Sequence, residues 1–353
     1  MEIYVANYSI SISDSFAAQF SFPEVVRQSK YSSVLVLADT HTAQFCYPLI
    51  KEYLPEHHLI IIPPGESEKH IETCKYLWEE FTRLRAERAS LLINLGGGVI
   101  GDMGGFVAST YKRGFDFMNI PTTLLSMVDA SVGGKLGIDF NGIKNLIGVF
   151  TDPKDVFINA AFLQTLPFEQ LRSGFAEVIK HGLIADETYF NSVKNISLQE
   201  ANDWHLIIAR SVEIKKQVVE KDPYEAGWRK ILNFGHTVGH AVEAWSLQND
   251  EQPLLHGEAI AIGMICEAWL SHATNGLSEA ALNEISNTIF RYFEKYSIEK
   301  IPASQLIEYM RLDKKNSQSH IQFSLLNCIG NCDFNCQATD EQINASILFY
   351  SGL

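Results

Sequence analysis

SLLINLGGGVIGDMGGF, residues 90–106, couples a short apolar run to a turn of glycines and then to a helical pattern. SLLINL (90–95) is too short for a helix and reads as a buried strand. Gly96, Gly98 and Gly101 fit the spacing G-x-G-x-x-G, and Gly97, Gly104 and Gly105 leave the turn nearly bare of side chains. Glycine lets a backbone approach a pyrophosphate closely, and the helix start supplies unpaired N–H groups and a positive dipole. Strand, turn and helix follow one another as a dinucleotide site requires. The competing reading is a tight turn made for packing. The fingerprint normally sits in the first strand–helix unit, and this is the third.

Working outward, VLVLAD (34–39) predicts a strand, 41–54 a helix, HLIIIP (58–63) a strand and 69–85 a helix with an apolar stripe from Ile71 to Leu84. Such alternation implies a parallel sheet covered by helices. Asp39, ending the first of these strands, suits either a ribose hydroxyl or an ordinary helix cap. Downstream, 122–148 is apolar and glycine-rich yet carries Asp129, Lys135, Lys144 and Asn145. Leu136 follows Lys135 where a Walker A loop needs Ser or Thr, so an anion pocket or solvated lysines remain the two readings. Beyond about residue 160 helical periodicity dominates until IQFSLLNCI (321–329). The chain therefore divides into an α/β domain over 1–160 and a mainly helical domain over 161–353.

The 353 residues carry a net charge of −14, with 46% hydrophobic and 20% charged residues. This predicts a globular chain with a large core and no basic face for nucleic acid. No apolar run approaches 18 residues and MEIYVANYSI lacks a secretory pattern, so neither a membrane span nor export is expected, and the cytoplasm is. Six cysteines make no disulfide framework. Cys328, Cys332 and Cys336 are spaced by four and fit none of the common cluster spacings, so they read as ordinary thiols.

In ILNFGHTVGHAVEAW (231–245), His236 and His240 lie four apart, on one helical face. Thr237 stands where a zinc protease has Glu. His256 in LLHGEAIAIG and Glu177 in GFAEVIKHG, with His181 four residues on, are further candidates for a catalytic metal site of three protein ligands. The spacing alone makes His236 and His240 both ligands.

GGGVIGDMGGF (96–106), PTTLLSMVDASVGGKLGIDFNGIKNLIG (121–148), RSGFAEVIKHG (172–182), RKILNFGHTVGHAVE (229–243), HGEAIAIGM (256–264) and LDKKN (312–316) together resemble, in order and over most of the chain, the 3-dehydroquinate synthase family. The resemblance implies a Rossmann-like NAD-binding α/β domain, a helical metal- and substrate-binding domain, and usually a cytoplasmic homodimer. It implies a divalent metal, zinc or cobalt, on Glu177, His236 and His256. It implies NAD on Gly96, Gly97, Gly98, Gly101 and Asp102, aided by Asp39, Glu66, Lys69, Thr122, Thr123, Lys135 and Lys144. Substrate would meet Arg113, Asp129, Lys135, Asn145, Lys180, Lys215, Arg229, Asn233, His240 and Lys314 or Lys315. The implied reaction takes 3-deoxy-D-arabino-heptulosonate 7-phosphate through transient oxidation at carbon 5, phosphate elimination, re-reduction and aldol closure to 3-dehydroquinate. Another sugar phosphate cyclase, of the 2-epi-5-epi-valiolone synthase type, or an alcohol dehydrogenase using NAD and a metal are the alternatives. AWSLQNDEQPLL, between the last two metal motifs, looks longer than the family's and reads as a loop insertion.

Overall fold

A computed structural model describes residues 1–5, 7–16, 31–141, 143–312 and 321–353. The chain forms two compact units, residues 1–171 with 202–216, and residues 172–201 with 217–353. The division expected at 160 marks the change from strand–helix alternation to helices. The return of 202–216 to the first unit is invisible to periodicity, which says that a face is buried but not against what.

The first unit is built on strands β1 (Glu2–Val5), β2 (Tyr8–Ser13), β3 (Val34–Asp39), β4 (His58–Ile62), β5 (Leu91–Gly96), β6 (Asp116–Pro121) and β9 (Asp155–Asn159). Among the described residues they form one sheet in the order β1-β2-β9-β6-β5-β3-β4. All neighbours are parallel except the β1–β2 hairpin. β3 and β5 are apolar and buried from Val34 to Ala38 and from Leu91 to Leu95, apart from Asn94, as strands covered on both faces must be. Leu35, Leu37 and Leu92 share a core with Phe81 of α3 (Ile71–Arg83) and Met103 of α4 (Gly98–Thr110).

The helix expected over 41–54 is two short ones, α1 (Thr40–Phe45) and α2 (Tyr47–Ile50). Pro48 explains the break: it is acceptable in a first helical turn but cannot continue a helix from upstream. The glycine-rich segment after Thr122 is a π-helical turn, Ser126–Ala130, followed by an antiparallel hairpin, β7 (Lys135–Phe140) and β8 (Ile143–Phe150). Gly148 is needed there, since a Cβ would run into the carbonyl of Leu136.

The second unit takes up most of α5 (Phe168–Ala185), then α6 (Glu187–Val193), the end of α7 (Trp204–Lys221), α8 (His236–Asn249), α9 (His256–Thr274), α10 (Glu279–Tyr292), α11 (Ala303–Leu312), the hairpin β10 (Gln322–Cys328) and β11 (Asn331–Gln337), and α12 (Asp340–Gly352). The strand expected at 321–329 is β10. α9 is its centre: every residue from Ala259 to Ala268 is buried. α8 crosses α9 backbone to backbone, because a Cβ on Gly263 would collide with the carbonyl of Gly235, and one on Gly239 would lie 3.0 Å from the carbonyl of Ala259. AWSLQN continues α8, so the first half of AWSLQNDEQPLL is helix and the loop is only 250–255. Asp250 holds that loop, accepting from Ser246 Oγ (2.7 Å), Tyr296 Oη (2.7 Å) and Lys300 Nζ (2.6 Å). Cys328 is exposed, Cys332 buried and Cys336 half-buried, along β10 and β11.

Candidate active site

In the first unit the strand order reverses between β3 and β5, since β4 continues from β3 on one side and β5, β6 and β9 follow on the other. Ligands of open parallel sheets bind beyond the carboxyl ends of the strands at such a reversal. Those ends are Asp39 and the glycine turn. The third strand–helix unit thus flanks the switch point, which removes the positional objection to the fingerprint. α4 starts at Gly98 with no side-chain cap at Gly97, leaving its first N–H groups free of any side-chain acceptor there. A Cβ on Gly101 would meet nothing within 4 Å, so this is an open cradle. A Cβ on Gly105 would instead lie 2.5 Å from Leu136 Cδ2, and one on Gly104 would collide with Asn94. The glycines therefore divide into a cradle and a packing surface.

Around the turn, Asn94, Asn119, Ser126, Ser131 and Asp102 line a small cleft with Gly96, Gly97, Gly98 and Gly101. Lys69 is buried and its Nζ lies 2.6 Å from Asp102 Oδ2. Burial raises the Asp102 carboxyl above its ordinary range, opposed by the charge of Lys69. Thr122 N donates to Gly96 O at 3.0 Å, and Thr123 Oγ1 bonds Ser126 Oγ at 2.9 Å. Glu66, on the turn Glu66–Glu68, lies 3.8 Å from Lys144 Nζ. Asp39 is the N-cap of α1, accepting from Thr42 N at 2.8 Å, so the capping reading is met through one oxygen.

Among the expected substrate residues of this unit, Lys215 Nζ lies 2.6 Å from Asp129 Oδ1 and also donates to the Asp129 carbonyl. Lys135 is exposed at the start of β7. Two others have left-handed backbones: Arg113 at φ 70° and Asn145 at φ 49°. Asn145 N donates to Asp139 Oδ1 at 2.7 Å. Non-glycine residues held there cost of order 1–3 kcal/mol and gather at functional sites.

In the second unit Glu177 on α5, His236 at the start of α8 and His256 at the start of α9 offer three ligand atoms, all within 4.8 Å of one another. His236 Nε2 is 3.6 Å and His256 Nε2 is 3.8 Å from Glu177 Oε1. His236 Nδ1 donates to the Phe234 carbonyl at 3.1 Å, which turns the Nε2 lone pair toward Glu177. His256 Nδ1 faces Glu243 Oε2 at 3.5 Å, a carboxylate behind an imidazole as in metal sites generally. Burial works against a charge on His256, but the carboxylates of Glu243 and Glu177 outweigh it and lift the imidazole to about 9. The donor set, one carboxylate and two imidazoles, suits zinc or a similar divalent ion.

Among the described residues no group of three possible ligands contains both His236 and His240, although their rings are 5.1 Å apart. The spacing argument made them a pair, and the fold separates them. A second group, His240, Glu243 and His256, overlaps the first at His256. Lys180 is buried and ion-paired with Glu177 one turn away. Arg229 Nη1 donates to the Pro223 carbonyl (2.6 Å) and Asn233 Nδ2 to Glu225 Oε1 (2.9 Å), bringing both to the approach of α8. Lys314 and Lys315 lie outside the described residues.

Sequence reading missed Glu243 and Glu267. Glu243 lies three residues past His240 and seven past His236, on their helical face, a spacing that could have found it. Glu267 is fully buried and accepts from Gly235 N (2.7 Å) and Val238 N (3.0 Å), fixing the start of α8. An acid inside the apolar run of α9 was its only trace.

Two family models match consecutive parts of the chain: 3-dehydroquinate synthase N-terminal over residues 59–173, and 3-dehydroquinate synthase C-terminal over 174–316. A 3-dehydroquinate synthase of Parabacteroides distasonis is 41% identical over 325 residues, covering 91% of this chain and 92% of its own. A 2-epi-5-epi-valiolone synthase of Streptomyces hygroscopicus subsp. jinggangensis, solved with NAD+ and Zn2+ bound, superposes with a TM-score of 0.86 at 24% identity over 99% of this chain and 98% of that one. A 2-deoxy-scyllo-inosose synthase complexed with carbaglucose-6-phosphate, NAD+ and Co2+ gives a TM-score of 0.81 at 22% identity over 98% and 99%. At these identities the two solved structures speak for the fold.

Proposed function

The chain belongs to the 3-dehydroquinate synthase family, and from that premise we propose that it converts 3-deoxy-D-arabino-heptulosonate 7-phosphate to 3-dehydroquinate and phosphate. The observation that carries this reading is the convergence of Glu177, His236 and His256, drawn from three separate motifs of that family. Glu177, His236 and His256 would hold one divalent metal, zinc or cobalt. Gly96, Gly97, Gly98, Gly101 and Asp102 would hold NAD, aided by Asp39, Glu66, Lys69, Thr122, Thr123 and Lys144. When bound, NAD accepts and returns a hydride, and the metal acidifies an alcohol and polarises a carbonyl.

The chain's own residues account for the rest. The substrate carries a carboxylate and a phosphate, which explains Arg113, Lys135, Lys180, Lys215 and Arg229 in a chain of net charge −14. Asp129 holds the Lys215 ammonium in place, so its charge stands ready before the leaving phosphate develops its own. Asn145 and Asn233 would orient hydroxyls. His240, its ring centroid 6.0 Å from that of His256, would move a proton to and from a substrate hydroxyl. We infer a cytoplasmic homodimer on the family's example. Among the described residues no helix is long and apolar enough to cross a membrane.

The test is phosphate release from the heptulosonate phosphate. It should be abolished by chelation and restored by added Zn2+ or Co2+, with no net NADH at the cofactor's absorbance. Turnover of sedoheptulose 7-phosphate alone would assign the chain to another cyclase, and accumulating NADH would make it a dehydrogenase.

A further inference from the structure

His256 is the first residue of α9, reached across the loop 250–255. The first N–H groups of a helix lack intrahelical acceptors, and such ends open most easily. Here the N-cap is Leu255, which offers no side-chain acceptor. Three contacts take the cap's place. Glu258 Oε2 accepts from Leu255 N at 2.9 Å. Ser173 Oγ accepts from Gly257 N at 2.9 Å. Arg172 Nη2 donates to Glu258 Oε1 at 2.6 Å.

Arg172 and Ser173 belong to α5, the helix that carries Glu177. Ser173 and Glu177 are four residues apart and share a helical face. At Gly257 the two backbones touch, since a Cβ there would collide with the carbonyl of Ser173. Residue 257 is thus keyed to 173, its neighbour His256 faces Glu177, and none of these contacts involves a ligand atom.

We propose that Arg172, Ser173 and Glu258 are positioning residues that latch the start of α9 to α5 and so set His256 against Glu177 before an ion arrives. This rests on the metal reading of Glu177, His236 and His256. Each contact restrains a ligand through its backbone, so its loss lowers affinity by making the ion assemble the pair it would otherwise find. The latch also differs from the way His236 is held. There Glu267, a single buried side chain from the middle of α9, accepts from Gly235 N and Val238 N, with no arginine–glutamate pair involved.

The experiment uses the full chain stripped of metal, titrated with Zn2+ against a chromophoric chelator and with Co2+ followed by its visible absorption. Ser173→Ala, Glu258→Gln and Arg172→Ala are each expected to bind Zn2+ about 10–100-fold more weakly. The Co2+ spectrum should change, and kcat should largely recover at saturating metal. Arg172→Lys, which keeps the charge, should recover part of the affinity. The double variant Arg172→Ala/Glu258→Gln should lose little more than the worse single one, because the two act as one contact. Melting of the metal-free proteins separates a folding defect, and Ser173→Ala removes only one hydroxyl if the others fold poorly. Zn2+ affinities within twofold of the parent in folded variants would overturn the latch and leave the metal site standing. A parent chain that binds no Zn2+ would overturn the metal reading itself.

Discussion

Between Gly96 and Gly105 the chain makes a site by leaving side chains out, whereas around Glu177 it makes one by bringing them together from α5, α8 and α9. The turn depends on backbone N–H groups at a helix start and on empty space above them. The cluster depends on three side chains from well-separated points of the sequence, Glu177, His236 and His256, held by residues that never touch the ligand. Information for the first is written in one stretch of sequence. For the second it is spread from Arg172 to Glu267, over three helices. The two should therefore fail differently when altered.

The sharpest contrast lies inside the cluster. Glu177→Ala is expected to weaken metal retention on the order of a thousandfold or more, and to strand the buried Lys180 without its partner. His240→Ala should keep metal within about threefold while lowering kcat by roughly 10²–10⁴, the usual worth of a positioned acid or base. Metal content after dialysis, measured beside kcat, separates them. Equal metal loss in both would put His240 among the ligands beside Glu177, and loss in His240→Ala alone would make the overlapping group of His240, Glu243 and His256 the site.

Acidity gives the next effect. The His256 imidazole is lifted to about 9 in the metal-free protein, so a proton competes for Nε2 throughout the neutral range. Zn2+ affinity should rise about tenfold per pH unit up to about 9 and flatten above it. Metal-free stability runs the other way. A folded value above the ordinary 6.5 means the contribution is complete below 6.5 and is lost as pH rises through about 9. Titrations at fixed ionic strength check both, and a flat affinity from pH 7 to 9 would contradict the Glu243–His256 geometry.

The smallest effect tests the turn. Gly101→Ala adds a Cβ to open space inside a helix, where alanine is favoured by about 0.8–1 kcal/mol, so melting should hold or rise. NAD affinity should fall about tenfold, or about 1.4 kcal/mol, because the methyl fills the cradle. Gly105→Ala should do the reverse, forcing Leu136 aside at a cost of about 1–3 kcal/mol while leaving NAD affinity nearly unchanged. If both glycines behaved alike, the division into cradle and packing surface would fail.

What could be read from sequence follows the same line. SLLINLGGG announced strand, turn and helix because each step is local. The switch point beside it was not legible, since it depends on which strands β5 pairs with, and pairing is non-local. The hairpin β7–β8 was hidden because Gly137 and Gly148 interrupt its alternation where the strands cross closely. The His236–His240 pair looked like two ligands because spacing reports a shared face, whereas coordination also needs partners from other helices. Glu267 escaped because an acid in an apolar run says that something pairs with it but not which backbone groups of α8 it holds.

The contact of Gly263 with Gly235 has a practical side. Replacing a mid-helix glycine by alanine is a standard move for making proteins hardier, and α9 with its long buried run invites it at Gly263. Here the added methyl would wedge α8 off α9 and draw His236 away from His256. Any programme of directed evolution that selects for heat tolerance alone should leave this position untouched, or it will harvest robust proteins with a ruined centre.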